Sequence, residues 1–123
     1  MVLGIGCDII EISRIKKSLE KEGFLHKHFT EKEIEFIGKK GTHIAATAAG
    51  NFCAKEAVVK ALGTGFGDIV PGDIEILRKD SGAPYVVLHG EALLEFERLR
   101  GLNIFISISH SKEMAIAYVV IEG

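Results

Sequence analysis

Period-two alternation opens the chain. In Val2-Leu3-Gly4-Ile5-Gly6-Cys7-Asp8, Leu3, Ile5 and Cys7 fall on one face and Gly4, Gly6 and Asp8 on the other, which predicts a strand over 2–8. A helix is expected from about Ile9 to Lys21, then a short helix opened by Thr30 with Glu33 three residues on as a capping box. An Ala-rich apolar stretch from about Thr42 to Leu62 reads as one long helix stopped by Gly63. Gly50 inside it costs about 1 kcal/mol relative to Ala, so close packing is expected there. Strands are predicted at 72–79 and 84–88, joined by Asp80-Ser81-Gly82-Ala83, then a helix over Glu91–Arg100. Strands 103–110 and 114–122 form a hairpin around Ser111-Lys112-Glu113. With helices grouped early and antiparallel strands late, the fold class is α+β, a single domain spanning 1–123. The segment Met114-Ala115-Ile116-Ala117-Tyr118-Val119-Val120-Ile121 is almost wholly apolar, which suggests a strand buried on both faces and hence an oligomer.

Composition changes this picture little. A length of 123 residues with 47% hydrophobic content suits one domain with a real core. The first residues are apolar without a basic run, so no signal peptide is expected, and no apolar run nears the roughly 20 residues of a membrane span. Cys7 and Cys53 fall in predicted core elements without metal-site spacing, so a reduced, cytoplasmic protein is the simple reading. Net charge of −2 argues against nucleic-acid binding. Arg14, Lys16, Lys17 and Lys21 nonetheless cluster around the first helix. They form either a solvated face, partly offset by Glu20 and Glu22, or a surface for an acidic protein partner.

Three segments carry candidate chemistry. Glu56 and Lys60 stand four residues apart on one helix face, just before Gly63-Thr64-Gly65. A helix C-terminus is electronegative, so a phosphate there would need Lys60, loop amides and a cation held by Glu56. These glycines follow the helix, which excludes a Walker loop or a Rossmann fingerprint. The alternative is a surface Glu–Lys pair with Gly63 as a plain C-cap. Gly4 and Gly6 would clear space beside Asp8, for a ligand or another backbone; alternatively Asp8 caps the following helix. His110 ends a strand and says little alone.

Together these segments resemble the holo-acyl-carrier-protein synthases, the small bacterial type of 4′-phosphopantetheinyl transferase. The family's opening Gly-Ile-Gly-x-Asp-[Ile/Val]-[Ile/Val]-Glu-Ile-x-Arg-Ile is matched by Gly4 to Ile15, and its Phe-Thr-x-x-Glu by Phe29, Thr30 and Glu33. The signature Phe-x-Ala-Lys-Glu-Ala-x-x-Lys-Ala-x-Gly-Thr-Gly is matched by Phe52 to Gly65, a Gly-x-Pro-Tyr turn by Gly82 to Tyr85, and Ile-Ser-His by Ile108 to His110. Five motifs in order cover the whole chain. Two positions depart: Asn51 stands where the family usually has Arg, and Cys53 where it usually has Ala. The first puts any phosphate or carrier contact through that Arg in question; the second reads as a small buried hydrophobe.

The resemblance implies transfer of the phosphopantetheine arm of coenzyme A to a serine of apo-acyl carrier protein, releasing 3′,5′-ADP, in fatty acid biosynthesis. It implies Mg²⁺ held by Asp8 and Glu56, with Lys60 neutralising the transferred phosphoryl group and the serine proton taken by Glu56 or a metal-bound water. His110 is expected to contact the coenzyme's phosphates, and Gly63, Thr64 and Gly65 to line the same groove. Arg14, Lys17 and Lys21 are expected to meet the acidic carrier. A homotrimer with active sites between subunits is expected. Two rival readings are a catalytically silent coenzyme A or nucleotide-binding module and a structural subunit with a buried ion-pair network.

Overall fold

The computed structural model describes all residues, Met1–Gly123. Its centre is α4 (Ile44–Leu62), in which 12 of 19 residues are buried, so the helix has no solvent face to speak of and other elements surround it. Against it lies a three-stranded antiparallel sheet in the order β1-β5-β4, formed by β1 (Val2–Glu11), β5 (Met114–Glu122) and β4 (Asn103–His110). A separate hairpin, β2 (Ile74–Arg78) and β3 (Pro84–Leu88), and the helices α1 (Ile12–Leu19), α2 (Phe24–His28), α3 (Glu31–Gly38) and α5 (Gly90–Arg98) complete the α+β architecture. No helix is long and apolar enough to cross a membrane.

The two glycines of β1 decide how close the sheet comes to α4. A Cβ at Gly4 would collide with the carbonyl of Ala61, and one at Gly6 with that of Ala57. Neither glycine has a positive φ, so the sequence requires glycine here for space rather than for backbone freedom. Two strand residues advance roughly 6.6 Å and four helix residues roughly 6 Å, so the elements keep step. The next inward position on β1, Asp8, therefore falls beside Cys53, one turn back from Ala57. Gly50 is a further point of tight packing, since a Cβ there would sit 2.9 Å from Cγ2 of Ile108 on β4.

Several boundaries differ from the sequence expectation. β1 runs on through Glu11, because Ile9, Ile10 and Glu11 stay paired with Ile116, Ala115 and Met114 on β5. Hence α1 starts at Ile12 instead of Ile9, Asp8 caps no helix, and Lys21 lies just past the helix end. A helical turn at 41–43 precedes α4, a turn at Pro71–Asp73 precedes β2, and the short helix α2, entered through Gly23 at φ 83°, was not anticipated. The expected capping box is present: Thr30 Oγ1 accepts from Glu33 N and Glu33 Oε1 from Thr30 N.

The double-sided burial expected of β5 is not met within one chain. Ala115, Ala117, Val119 and Ile121 face α4 and are buried, but the opposite face is open. Ile5 (72% exposed), Ile9 (59%), Phe105 (54%) and Tyr118 (56%) stand on it together. An apolar sheet face of this kind on a small protein marks an interface. Cys7 shares that face and is exposed, so of the two cysteines only Cys53 is in the core.

A second fixed point of the fold is a buried ion pair. Lys55 Nζ lies 2.7 Å from Glu33 Oε1, with side-chain exposures of 1% and 0%. The ammonium also donates to the carbonyls of Pro71 and Ile74, and Glu33 Oε2 accepts from Asn51 Nδ2 at 3.3 Å. Burial pushes the Glu33 pKa up and the Lys55 pKa down, both opposed by their mutual attraction. Removing one partner would strand the other charge, at about 3–5 kcal/mol. The pair thus pins α3, α4 and the segment leading into β2.

Candidate active site

The close contact of β1 and α4 sets two carboxylates and an ammonium side by side. Lys60 Nζ donates to Asp8 Oδ1 at 3.1 Å and to the carbonyl of Cys7 at 3.0 Å. The hydrogen bond that Lys60 donates to Asp8 and the carboxylate's charge together raise the Lys60 pKa. Glu56, one turn before Lys60, is half-buried. Burial raises its pKa, the Asp8 carboxylate adds to this, and Lys60 and Arg14 oppose it; no hydrogen bond relieves the charge. Arg14, on α1, therefore acts electrostatically on the same centre. The third neighbour is Cys53, whose Sγ lies 3.6 Å from Asp8 Oδ2 and 3.6 Å from the carbonyl of Ala115. Burial, then the Asp8 charge, push this thiol up to about 12, so it stays protonated.

No group of three or more His, Cys, Asp or Glu side chains is arranged to enclose a metal. Asp8 and Glu56 offer two carboxylates, and Glu56 is an anion held near another anion with no donor of its own. A hard cation that takes one or two carboxylates and fills its other positions with water and phosphate oxygen fits this donor set. Beside Glu56 a cleft of about 380 Å³ is lined by His28, Phe52, Phe66, Val70 and Pro71. The rings of Phe24 and Phe52 stack at 6.5 Å and His28 lies 5.7 Å from Phe52, so the cleft wall is aromatic. Sequence reasoning missed that wall; the α2 residues Phe24 and His28 carry no recognisable motif.

Gly63 ends α4 in the left-handed region at φ 81°, as a plain C-cap would. The amides of Gly63, Thr64 and Gly65 all turn back onto the Val59 carbonyl, Gly63 also onto that of Lys60. In this structure these loop amides are engaged in capping the helix. Thr64 and Gly65 line a small cleft shared with Asp68, Glu91, Glu95 and Arg98, whose carboxylates disfavour an anion.

His110 is not brought to Asp8. It pairs with Ala115 on β5, whose other neighbour is Ile10 on β1, so two strand spacings, roughly 10 Å, separate it from β1 within one chain. It lines a groove with Lys40, His43, Arg78 and Lys79 instead. Arg14, Lys17 and Lys21 are all exposed on or just beyond α1. Asn51 is fully buried and touches no ligand-accessible surface: its Nδ2 donates to Glu33 and to the Ile76 carbonyl, and its Oδ1 accepts from Arg78 Nη2 at 2.8 Å. No sequence signal connects positions 51 and 78.

The raised Glu56 pKa has a consequence for stability. A folded-state pKa above the ordinary value means that this group contributes most below about pH 4.5 and that its contribution is lost as pH rises through the raised value. In the absence of divalent cations, Glu56→Gln is therefore expected to melt at or above the wild-type temperature at pH 7–8. The difference should vanish on acidification below pH 4. Thermal denaturation across that range checks this; a variant clearly less stable at pH 8 would contradict it.

Known proteins resemble this chain along its whole length. A relative from Clostridium botulinum (strain Alaska E43 / Type E3), named holo-[acyl-carrier-protein] synthase, is 52% identical over 99% of this chain and 98% of its own length. The crystal structure of a holo-(acyl-carrier-protein) synthase from Bacillus anthracis in complex with CoA (3′,5′-ADP) superimposes with a TM-score of 0.84 at 41% identity, covering 100% of this chain and 98% of that one. The Helicobacter pylori holo-[acyl-carrier-protein] synthase in complex with coenzyme A gives 0.82 at 34% identity, covering 96% and 99%. Residues 4–119 match the model of one family, from the strand that carries Asp8 to the middle strand of the sheet: the chain belongs to the 4′-phosphopantetheinyl transferase superfamily.

Proposed function

We propose that this protein is a holo-[acyl-carrier-protein] synthase: it transfers the 4′-phosphopantetheine arm of coenzyme A to a serine hydroxyl of apo-acyl carrier protein and releases 3′,5′-ADP, in the cytoplasm, for fatty acid biosynthesis. The observation that carries this reading is the juxtaposition of Asp8, Glu56 and Lys60 across the β1–α4 contact. Relatives of the same length that bind coenzyme A support it.

Phosphoryl transfer asks a protein mainly to position reactants and neutralise charge. Asp8 and Glu56 would hold a Mg²⁺ ion. When bound, that ion supplies positive charge to the pyrophosphate and its leaving group. Lys60, half in solvent and tethered to Asp8 and the Cys7 carbonyl, keeps one N–H to meet the phosphoryl oxygen. Its raised pKa keeps it charged throughout the physiological range. Glu56, which has no hydrogen-bond donor of its own, would accept the serine proton as the hydroxyl attacks, directly or through a water. The aromatic cleft beside Glu56 would exclude water from the reacting groups. The exposed cations Arg14, Lys17 and Lys21 suit docking of an acidic carrier next to this centre.

Assembly belongs to the same reading. The open apolar face around Ile5, Phe105 and Tyr118 would be covered by packing of three copies about an axis. A site between subunits would let His110, roughly 10 Å from the strand of its own Asp8, meet a coenzyme held by a neighbouring copy.

Incubated with coenzyme A, Mg²⁺ and an apo-carrier protein, the wild type should raise the carrier's mass by one phosphopantetheine. Asp8→Asn and Glu56→Gln should each slow this by orders of magnitude, with partial recovery at high Mg²⁺. Lys60→Ala should lower kcat more than it weakens carrier binding. Normal transfer by either carboxylate variant at low Mg²⁺ would refute the metal assignment. For assembly, Ile116 stands on the open face and Val119 on the face against α4. Ile116→Asp should therefore dissociate the trimer seen by light scattering and reduce transfer; a fully active monomer would refute the shared site.

A further inference from the structure

We propose that Cys53 is a positioning residue for Asp8: its thiol holds one carboxylate oxygen so that the other faces Lys60. This rests on the metal-binding role proposed above. Sγ lies 3.6 Å from Asp8 Oδ2, within reach of a sulfur hydrogen bond, while Oδ1 is taken by Lys60 at 3.1 Å. The two oxygens of Asp8 thus have different partners on the same helix, seven residues apart. The thiol is wholly buried and has one hydrogen for two acceptors, Asp8 Oδ2 and the Ala115 carbonyl. An ionised carboxylate outbids a neutral carbonyl for it, since charge-assisted bonds are roughly twice as strong.

Alanine at this position would leave Oδ2 facing a methyl group, and the carboxylate held at Oδ1 alone. Serine would keep a donor of nearly the same reach. Cys53 is therefore more than a small hydrophobe filling the β1–α4 contact. It selects which oxygen of Asp8 is presented to a cation, as an outer partner of a metal ligand does. The step length of the two elements makes this possible, because position 53 is the one α4 residue brought level with Asp8 once Gly6 sits on Ala57.

The experiment compares the wild type, Cys53→Ala and Cys53→Ser. Mg²⁺ is titrated calorimetrically into each protein with coenzyme A present and no carrier, so that no turnover occurs. Cys53→Ala is expected to raise the Mg²⁺ dissociation constant about five- to tenfold, with kcat at saturating Mg²⁺ and the melting temperature little changed; Cys53→Ser is expected to return it to within about twofold of wild type. A second reading is independent of metal. In a Cys7→Ser background, the infrared S–H stretching band of Cys53 should move to higher frequency when Asp8 is changed to Ala. Unchanged Mg²⁺ affinity in Cys53→Ala, or serine behaving as alanine, would overturn the proposal even where the wild type transfers normally. An S–H band indifferent to Asp8 would overturn it whether or not Mg²⁺ binds. A wild type that bound no Mg²⁺ while its S–H band answered to Asp8 would instead refute the metal role and leave the thiol–carboxylate bond standing.

Discussion

The proposed site depends on two missing methyl groups. Because Gly4 and Gly6 have no Cβ, β1 lies directly on the carbonyls of Ala57 and Ala61. The similar advance per two strand residues and per helical turn then places Asp8 one step further along, against Cys53. Glu56 and Lys60 flank the same contact, so residues about fifty positions apart in sequence meet within hydrogen-bonding distance. A conventional strand, with side chains between sheet and helix, would hold Asp8 several ångströms away. The carboxylates would then be independent: Asp8 would no longer add to the rise that burial gives the Glu56 pKa, and the Lys60–Asp8 bridge would not arise.

Adjacent residues of α4 serve opposite ends. Lys55 points into the interior, where Glu33 and two carbonyls satisfy all three of its donor positions. Glu56, the next residue, points into a cleft and has no donor at all. The first arrangement is a fully compensated buried charge that orders the neighbouring segments. The second is an unrelieved one, costly to the empty protein and available to a cation. One turn on, Lys60 remains half in solvent, where its tie to Asp8 adds little stability because exposed pairs are screened; its role lies in chemistry instead. The structural rival made Asp8, Glu56 and Lys60 a buried ion-pair network, yet Lys60 is half in solvent; the buried network is made by Lys55, Glu33 and Asn51 instead.

The sequence was most legible where one local rule acts alone. The hairpin strands 103–110 and 114–122, the capping box at Thr30 and Glu33, the C-cap at Gly63 and the tight packing at Gly50 all follow from turn chemistry, capping and steric need. It was least legible where distant pairing overrides a local signal. Asp8 before an apolar run looks like a helix cap, yet pairing with β5 carries the strand on to Glu11. Asn51 looks like a lost surface guanidinium, yet Glu33 and Arg78 make the position an interior one. The apolar run in β5 was right about burial on one face; the other face is open in a single chain. The motif residues Asp8, Glu56 and Lys60 converge as their order suggested, while His110 and the Gly63-Thr64-Gly65 amides do not join them in a single chain.

The central claim is that the β1–α4 contact distance builds the site, and Gly6→Ala tests it most directly. Alanine suits the backbone at this position, so its only effect is to force strand and helix apart at Ala57. Overpacking of this kind costs about 1–3 kcal/mol, which urea denaturation will read. The account predicts a variant that still folds, with transfer of phosphopantetheine and affinity for Mg²⁺ reduced together because Asp8 has moved from Glu56 and Lys60. A Gly6→Ala protein as stable and as active as the wild type would show that the site does not depend on that contact.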